Sequence, residues 1–350
     1  MKYLRLTLDG RETVIKKTTI VDIAKEAGVS VSTVSRILNN KPDVAEKTRQ
    51  RVLQVIEEQN FTPQTAWQQL RSGKSRVITL HFPQNFNPLF QGMIADAALR
   101  CEQLGFTLNL MVGPLDEPEL LNILRSGQAD GIILTETLTH DWRVESLRGY
   151  PSRFVMIGRC ADTTGLSYVD SAIELGVGDA IDHLAELGHR HVGFLTLGKI
   201  APGKEYSFTG FARAGCQAAC RRHGITCHLR ATDLSNESVT DAAVNLLEQH
   251  PEITAFVTPQ DSGVPGILKA IALRGLRIPE DISVVGLLDE AFAEMITPPL
   301  TALDFSSHTL GFTAAELLVA QLNDEVSGPQ QVLIKPELHV RGSTGPCVQR

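Results

Sequence analysis

The sequence lacks the segments that would export a protein or anchor it in a membrane. No apolar run approaches the roughly 20 residues that a membrane-spanning helix requires. Residues 1–17 are polar and charged and contain no apolar core of a signal peptide. The six cysteines are scattered rather than densely spaced as in a disulfide scaffold. We therefore expect a cytoplasmic protein with reduced thiols and no membrane partner.

Catalytic motifs are also lacking. The chain contains no glycine-rich phosphate loop and no Gly-x-Ser-x-Gly nucleophile turn. Cys216, Cys220 and His223 recur at the spacing of one helix face, a pattern that could hold zinc. This spacing matches no standard zinc finger, however, and small buried cysteines pack well between helices. The sequence therefore predicts no enzyme, no cofactor and no metal site.

Negative charge predominates overall but is unevenly distributed. The formal net charge is −7, which by itself argues against binding to nucleic acid. Residues 1–75 nevertheless contain thirteen Lys or Arg and eight Asp or Glu, a balance of +5, so the other 275 residues carry −12. A basic first segment joined to an acidic body is typical of a DNA-binding module fused to a separate domain.

Two short helices joined by a glycine turn are predicted near the amino terminus. Thr19 is a suitable N-cap, and the following apolar residues recur at helical spacing up to Gly28, which can adopt the left-handed conformation that ends a helix. A second helix is predicted over residues 30–38 and a third over 44–59, with Asp43 as its cap. This arrangement predicts a helix-turn-helix unit, although a small helical bundle that binds no DNA would show the same pattern.

The second helix is predicted to present short side chains and one cation on its outward face. These residues are Val31, Ser32, Thr33, Ser35 and Arg36. Short side chains allow a helix to approach base edges closely, and an arginine can contact either bases or phosphates. The composition of this face therefore favours recognition of DNA.

The segment TIVDIAKEAGVSVSTVSRILN, residues 19–39, closely resembles the headpiece of the lactose/galactose repressor (LacI/GalR) family. The resemblance continues through LGHRHV at 187–192, RIPEDISVVG at 277–286 and RGS at 341–343. It therefore covers about residues 18–345. Residues 1–17 lie outside it, and we expect them to be either a floppy arm or the product of a start codon assigned too early.

The resemblance implies that residues 18–63 form the DNA-binding domain. It also implies which individual side chains contact the DNA. Val31, Ser32 and Arg36 are expected to contact bases, and Arg36 is the residue best able to make a bidentate contact to guanine. Contacts to phosphates position the helix and make affinity depend on salt. They are expected from Thr19, Ser30, Thr33, Ser35, Asn39 and Thr48.

Residues 64–75 correspond to the hinge helix and linker of the family. In relatives the hinge helix folds on the operator, and a leucine from each subunit wedges into a minor-groove step; Leu70 occupies that position here. Gln64 is also expected to contact DNA. Trp67 stands where the family usually has alanine, so its indole would either clash with the groove or add stacking.

Beyond residue 75, short apolar runs alternate with helix-like segments, which predicts parallel sheets covered by helices. The predicted strands are 77–82, 107–112, 131–134, 154–157, 192–197, 255–257 and 283–286. The resemblance implies a core like that of periplasmic binding proteins, with two lobes, three crossovers and a ligand cleft. The expected fold is thus an all-α helix-turn-helix headpiece followed by an α/β core of two parallel-sheet lobes. Lobe 1 is expected at about 76–188 and 302–328, and lobe 2 at about 189–301 and 329–345.

The cleft of such a core lies beyond the carboxyl ends of the strands, so the loops there are expected to hold the effector. The candidate residues are Asn87, Phe90, Asp170, Ser207, Arg213, Gln260, Asp261, Leu288 and Asp289. Two of them depart from the family. Gln260 replaces a common asparagine, and Leu288 replaces an aspartate that often binds hydroxyls.

The cleft arginine of the family is missing as well. Alignment from the glycine at 210 places Ser207 at its position, whereas alignment from the glycine at 215 places Ala212 there and leaves Arg213 one residue away. A displaced guanidinium loses the fixed fork that recognises hydroxyls or carboxylates. An apolar Leu288 cannot satisfy a buried hydroxyl. We therefore expect an effector, sugar or sugar-derived, that is not a typical neutral hexose; loss of ligand control is the alternative.

Three classes of protein remain to be compared. A DNA-binding regulator accounts for the headpiece, the hinge, the charge distribution and the body together. A solute-binding protein would account for the body only and would need an export signal, and an enzyme would need a catalytic constellation. We therefore expect a repressor that binds operator DNA, a palindrome, as a homodimer under the control of a small-molecule effector. Residues 90–104 and 119–124 are expected to contribute to the dimer contact.

Overall fold

The structure is a computed structural model of the chain, and it describes residues 4–8, 11–15, 20–38, 44–59, 74–83, 90–198, 203–233 and 235–347. The chain divides into two compact units, residues 1–75 and 76–350. This boundary coincides with the end of the predicted linker. No helix in the described part of the chain is long and apolar enough to cross a membrane.

A two-stranded antiparallel hairpin begins the first unit. Strands β1 (Leu4–Leu8) and β2 (Arg11–Ile15) pair in register, with Leu8 opposite Arg11. A floppy arm is therefore the wrong expectation for these residues. The overlooked sequence signal is the Asp-Gly pair at 9–10 between two short runs, which favours a tight hairpin.

Three helices form the rest of the described first unit: α1 (Ile20–Glu26), α2 (Val31–Leu38) and α3 (Glu46–Glu58). They share a small apolar core, made of Ile23, Ala24, Ala27, Val34, Ile37, Val52, Val55 and Ile56. Helix α3 begins two residues later than predicted, and Ala45 precedes it without a side-chain cap. The predicted cap, Asp43, lies outside the described residues.

The second unit contains two six-stranded sheets. Their strands in chain order are β3 (Val77–Phe82), β4 (Thr107–Val112), β5 (Gly131–Leu134), β6 (Phe154–Ile157), β7 (Tyr168–Ser171), β8 (His191–Leu197), β9 (Thr226–Thr232), β10 (Ala255–Thr258), β11 (Ser283–Leu287), β12 (Thr301–Asp304), β13 (Gln331–Ile334) and β14 (Glu337–His339). All seven strands that the sequence predicts are present within one or two residues of their expected ends. The buried ones are continuous apolar runs, as expected of parallel strands covered on both faces.

Helices cover both sheets. They are α4 (Gln91–Gln103), α5 (Glu117–Arg125), α6 (Trp142–Leu147), α7 (Ile173–Glu186), α8 (Ser207–His223), α9 (Asn236–Gln249), α10 (Gly263–Leu273), α11 (Glu290–Met295) and α12 (Ser307–Leu322). Helices α7 and α8 pack closely at Gly215, where an added Cβ would overlap the backbone of Glu174. This contact brings the acidic side chain of Glu174 close to helix α8.

Each sheet belongs to one lobe. The lobe 1 sheet has the order β13-β7-β6-β5-β3-β4 and is entirely parallel. The lobe 2 sheet has the order β14-β12-β11-β10-β8-β9 and is parallel except for the edge strand β14. The two mostly parallel sheets confirm the predicted fold class.

The polypeptide passes between the two lobes three times. The lobe boundaries expected from the sequence, however, are wrong. Helix α7, assigned to lobe 1, packs in the core of lobe 2. Strand β12, also assigned to lobe 1, pairs with β11 of lobe 2, and β13, assigned to lobe 2, pairs with β7 of lobe 1. The crossovers therefore lie between β7 and α7, between β12 and α12, and between β13 and β14. The pairing of short strands depends on distant partners, which local sequence does not reveal.

Candidate functional site

The turn between α1 and α2 is closed by local backbone contacts. Gly28 has a φ of 63°, the left-handed conformation that ends α1, and the amide of Val29 donates to the carbonyl of Ala24 at 2.9 Å. The Val29 side chain packs against the three-helix core. This turn fixes the start of α2, the predicted recognition helix.

Three hydroxyls meet at the start of α2. The Ser30 Oγ accepts a hydrogen bond from the amide of Thr33 at 3.1 Å and lies 2.7 Å from Ser32 Oγ and 2.8 Å from Thr33 Oγ1. Ser30 therefore acts as the N-cap of the helix. The hydroxyls of Ser30, Ser32 and Thr33 are also those predicted to contact DNA. The hydrogen bonds of the cap therefore orient the groups that are expected to contact DNA.

The outward face of α2 is exposed while its inner face is buried. Val31 is 40% exposed, and Ser32 and Arg36 are exposed. Thr48, at the start of α3, is half-buried. Arg49 donates to the carbonyl of Ile37 at 3.1 Å and so holds the end of α2 against α3. The predicted base-contacting residues thus share one accessible surface.

Several predicted site residues lie outside what the structure describes. They are Thr19, Asn39, Gln64, Trp67, Leu70 and Asn87, together with the side chain of Ser35. Their roles, including the hinge wedge, stay predictions.

In the second unit, segments that follow the carboxyl ends of strands in the two lobes contact each other, and we call the region between the lobes at these contacts the cleft. The segment that follows β5 in lobe 1 contacts the segment that follows β8 in lobe 2. The amide of Thr139 donates to the carbonyl of Glu205 at 2.9 Å, and both the amide and the Oγ of Ser207 donate to the carbonyl of Thr137 at 3.2 Å. Ser207 is therefore engaged by the opposite lobe.

An arginine from lobe 1 links the lobes within this cleft. Arg159, which follows β6, donates through Nε to Asp170 and through Nη2 to Glu174 of α7 at 2.9 Å. Its guanidinium also stacks on Phe211 of α8, 3.8 Å from the ring centroid. Asp170 belongs to lobe 1, whereas Glu174 and Phe211 belong to lobe 2. The Arg159 side chain therefore contacts both lobes, next to the predicted effector-binding residue Asp170.

Burial raises the pKa of Asp170 to about 6, because the cost of burying the carboxylate exceeds the stabilisation by Arg159. The side chains of Asp170 and Arg159 are 9% and 12% exposed, and that of Glu174 is 26% exposed. The cluster carries one positive and two potentially negative groups. Because two carboxyl groups share one guanidinium, uptake of a proton by Asp170 brings the cluster closer to zero net charge.

The two alternative positions for the family arginine have different surroundings. Ala212 is completely buried in the lobe 2 core, and Arg213 forms an ion pair with Glu205 at 2.9 Å. Arg213 is 37% exposed. The guanidinium beside Asp170 is that of Arg159, which the sequence analysis did not single out.

Gln260 follows β10 and is 7% exposed, and its Nε2 has no hydrogen-bond partner among the described residues. Asp261, beside it, is partly exposed. Leu288, after β11, packs partly against the lobe 2 core. The Asp289 carboxylate accepts a hydrogen bond from the amide of Ala291 at 3.0 Å and caps α11. Gln260 is thus the buried member of this set whose side-chain amide nitrogen has no partner among the described residues.

Phe90 lies at the start of α4, at the carboxyl end of β3. Its ring centroid is 5.4 Å from that of Phe82 and 6.4 Å from that of Phe305. Phe305 packs against the cores of both lobes at the second crossover. An aromatic wall therefore extends from lobe 1 to a crossover segment.

A buried polar network beside the cleft was missed by the sequence analysis. Arg143 is 3% exposed and donates to Asp141 at 2.7 Å, to the carbonyl of Glu136 at 3.2 Å, and to His81 Nδ1 at 3.3 Å. Burial opposes ionisation of Asp141, but hydrogen bonds and the charge of Arg143 outweigh it and lower its pKa. Burial lowers the pKa of His81, in keeping with a neutral ring. No local motif announces this network, because its partners come from three separate segments.

Glu136 is the unusual member of this region. It has a φ of 49°, and its Oε2 is buried without a hydrogen-bond partner in the described part of the chain. Burial raises its pKa to about 7, although Arg143 opposes the shift. Glu136 therefore changes charge near neutral pH next to the segment that joins the lobes.

Comparison with known proteins agrees with this architecture. A family profile of bacterial regulatory proteins, lacI family, matches residues 19–64, and one of the periplasmic binding protein-like domain matches residues 181–344. The chain is 31% identical over 342 residues to an uncharacterized HTH-type transcriptional regulator in the aml 5' region of Streptomyces limosus, covering 94% of this chain and 95% of that protein. It is 28% identical over 336 residues to the HTH-type transcriptional regulator DegA of Bacillus subtilis (strain 168), covering 94% and 99%.

A solved structure is similar across both units. It is that of the lac repressor dimer bound to operator and the anti-inducer ONPF, with a TM-score of 0.76 and 25% identity over 94% of this chain and 100% of that chain. The similarity includes the helix-turn-helix and the two-lobed core. The chain therefore belongs to the LacI family of bacterial regulatory proteins and is a DNA-binding transcriptional regulator.

Proposed function

We propose that this protein is a repressor that binds a palindromic operator as a homodimer and responds to a small ligand in the interlobe cleft. The observation that carries the proposal is the exposed face of α2, where Val31, Ser32 and Arg36 stand on a helix whose other face is buried. In the similar lac repressor structure the bound partner is an operator. Base contacts from the same face here would determine sequence preference.

Exposed apolar side chains support the homodimer. Leu99 on α4 is 50% exposed, and Leu110 and Val112 on the edge strand β4 are 43% and 47% exposed. Apolar residues at a sheet edge and on its neighbouring helix are typical of a contact surface. In contrast, Leu120, Ile123 and Leu124 of α5 are buried in lobe 1. The dimer contact is therefore proposed along α4 and β4.

The cleft has the chemistry for a polar ligand of sugar type. The buried Gln260 amide has an unused donor, and burying such a donor is costly unless a ligand or water accepts from it. Asp170 could accept hydrogen bonds from hydroxyls. Leu288 offers no polar atom at its position. We infer a sugar derivative that presents an acceptor to Gln260 rather than a neutral hexose held by several carboxylates.

Loss of ligand control is the second candidate, and the Arg159 cluster is the observation in its favour. The ion pair between Arg159 and Glu174 links the lobes through protein groups alone. A cleft that is already held by this pair would respond to a ligand only if the ligand stabilised one state more than the other. The two candidates differ in whether any ligand changes DNA affinity.

DNA binding is tested by footprinting the purified protein on its own promoter region at several salt concentrations. Wild type, Arg36→Ala and Leu70→Ala are compared, with Gln54→Ala as a neutral control on the far side of α3. We expect a protected palindrome whose affinity falls with salt. Loss of a base contact at Arg36 should cost about 1–3 kcal/mol, or about fivefold to more than a hundredfold in affinity.

The hinge prediction has its own readout in the same experiment. Leu70→Ala should remove protection or bending at the centre of the palindrome while retaining weak binding to the half-sites. Protection that is indifferent to sequence, or equal in Arg36→Ala and wild type, would contradict recognition by α2. Transcription from the promoter, with and without the protein, determines the sign of regulation.

Ligand control is tested on the operator that the footprint identifies. Simple hexoses and sugar derivatives are titrated by calorimetry against wild type and Gln260→Leu, and DNA affinity is measured with each ligand that binds. A sugar derivative that shifts DNA affinity and binds Gln260→Leu more weakly supports the proposal. Micromolar binding of a simple hexose contradicts the inferred ligand class, and no effect from any compound favours loss of control.

A further inference from the structure

A cluster of three histidines and one glutamate lies in lobe 2, outside the cleft. Its members are His191, His228, His250 and Glu252. His191 begins β8 and Glu252 precedes β10, so the cluster lies at the amino-terminal ends of the strands of this sheet. The cleft lies at the opposite side of the sheet, beyond the carboxyl ends of the strands. The cluster is therefore separate from the effector residues.

Sheet register brings the first two imidazoles together. His191 on β8 is the register partner of Thr226 on β9, and His228 follows Thr226 by two residues. Alternate residues of a strand share a face, so His228 lies on the same face as His191 and diagonally next to it. The His191 Nδ1 and His228 Nε2 atoms are 3.4 Å apart.

The connection between α9 and β10 supplies the other two groups. The Glu252 Oε1 atom lies 3.9 Å from His191 Nδ1, 3.8 Å from His228 Nε2 and 3.3 Å from His250 Nδ1. The rings of His228 and His250 are 4.0 Å apart between centroids. One carboxylate oxygen is therefore near a nitrogen of each of three imidazoles.

These separations suit a tetrahedral metal ion. Zinc binds histidine nitrogen and carboxylate oxygen at about 2.0–2.2 Å, which places neighbouring ligand atoms about 3.3–3.5 Å apart. The ligand atoms of His191, His228 and Glu252 all lie within 4.8 Å of one another, with the His191 and His228 nitrogens 3.4 Å apart; the 3.3 Å spacing joins Glu252 to His250. The other two spacings, 3.9 and 3.8 Å from Glu252 Oε1 to the imidazoles of His191 and His228, exceed this ideal by about 0.3–0.6 Å.

We propose that His191, His228 and Glu252, with His250 as a further ligand, form a binding site for a divalent transition-metal ion of the zinc type. The side chains are 9% to 42% exposed, so an ion can reach them from solvent. An ion there would join β8, β9 and the α9–β10 connection. Arg230 also faces this region, but its guanidinium donates to Gln249 at 3.1 Å.

A second group of possible ligands lies on the other face of β9. Cys227 alternates with His228 along the strand, and its Sγ is 3.4 Å from that of Cys216, which is 3.9 Å from that of Cys220. These three thiols lie in or against the apolar core of lobe 2, and their Sγ atoms are all within 4.8 Å of one another. Their role as packing residues stays a prediction, and the thiols are the rival site to exclude.

The test is a titration of the full, tag-free protein with zinc chloride, followed by calorimetry and by metal analysis after dialysis. We expect one ion per chain. His228→Asn should weaken binding by at least about tenfold, since loss of even a supporting group at metal sites costs that much. His250→Gln, at a more exposed position, is a second variant that tests the site if His228→Asn fails to fold.

A matched control is available at another histidine and glutamate pair. The His339 Nε2 atom lies 3.8 Å from a Glu337 carboxylate oxygen, without further imidazoles in the described surroundings. His339→Asn should leave zinc affinity unchanged, as should Cys227→Ser. Cobalt substitution then distinguishes the donors, because nitrogen and oxygen ligands give visible tetrahedral bands without a thiolate charge-transfer band.

Substoichiometric binding that dialysis removes would overturn the proposal. So would equal affinity in wild type, His228→Asn and His250→Gln, or a thiolate charge-transfer band that disappears in Cys227→Ser. Retention of operator binding by the metal-free variants would show that their headpiece is intact, so the metal site and the repressor function are tested independently.

Discussion

Neutralising Glu136 should stabilise the protein at neutral and alkaline pH. The Glu136 carboxyl is buried beside the cleft, with a pKa of about 7 and an Oε2 atom that has no hydrogen-bond partner in the described residues. Burial is the main cause of the raised pKa, because it penalises the carboxylate more than Arg143 stabilises it. Glu136→Gln retains the shape and removes the charge.

The magnitude follows from the difference between the pKa values of the folded and unfolded states. A rise from 4.5 to about 7 corresponds to about 3 kcal/mol of destabilisation by the ionised group. Between these two values the folded state binds a proton that the unfolded state has released, so wild-type stability falls as the pH rises. The cost is absent well below pH 4.5 and complete above pH 7. Glu136→Gln should therefore gain about 1–3 kcal/mol over wild type at pH 8 and little at pH 5.

Urea unfolding of the two proteins at pH 5 and pH 8 checks this prediction. Glu102→Gln is a matched control, because Glu102 is exposed on α4. The control should change stability little at either pH. A difference between Glu136→Gln and wild type that is the same at both pH values, or larger at pH 5, would refute the argument that a buried carboxylate destabilises this segment.

Two other substitutions test contacts that hold the core together. Arg159→Met should destabilise the protein by about 3 kcal/mol at pH 8, since Asp170 and the partly exposed Glu174 lose their partner. The loss should be smaller at pH 5, where Asp170 can take up a proton. Urea unfolding at the two pH values measures both losses. Ser343→Ala should cost about 1–3 kcal/mol, because the buried amide of Thr301 loses its acceptor at 2.7 Å. Faster hydrogen exchange at Thr301, with other β12 amides unchanged, would accompany the second loss.

Continuous apolar runs were predicted as strands from the sequence, including the edge strand β4, whereas most strands of mixed composition were not. Strand β5, GIIL, is completely buried and reads as an apolar run. Strand β9, TCHLRAT, lies at the edge of the lobe 2 sheet, and most of its residues are partly or fully exposed. Its mixed composition resembles a loop. A strand of mixed composition is recognised through the partner that it pairs with, and local composition does not reveal that partner.

The headpiece was more predictable because its signals are local. The apolar spacing up to Gly28 and the caps of short helices act within a few residues. The core residues of α2, Val34 and Ile37, are accordingly not among those predicted for its outward face. The cleft differs, since Arg159, Glu174 and Phe211 come from three separate elements. Their association depends on where the chain crosses between the lobes, and the positions predicted from the sequence for these crossovers were wrong.

The position of the cleft arginine changes what a ligand must do. A guanidinium supplied by lobe 2 could bind a ligand and draw the lobes together. Arg159 comes from lobe 1 and already donates to Asp170 and Glu174, so these protein groups satisfy it without a ligand. A ligand that only added contacts to both states would shift nothing. Under the proposed function, a ligand that competes for Asp170, or uses the unpaired Gln260 amide in one state only, would have the unequal affinity for the two states that coupling to DNA binding requires.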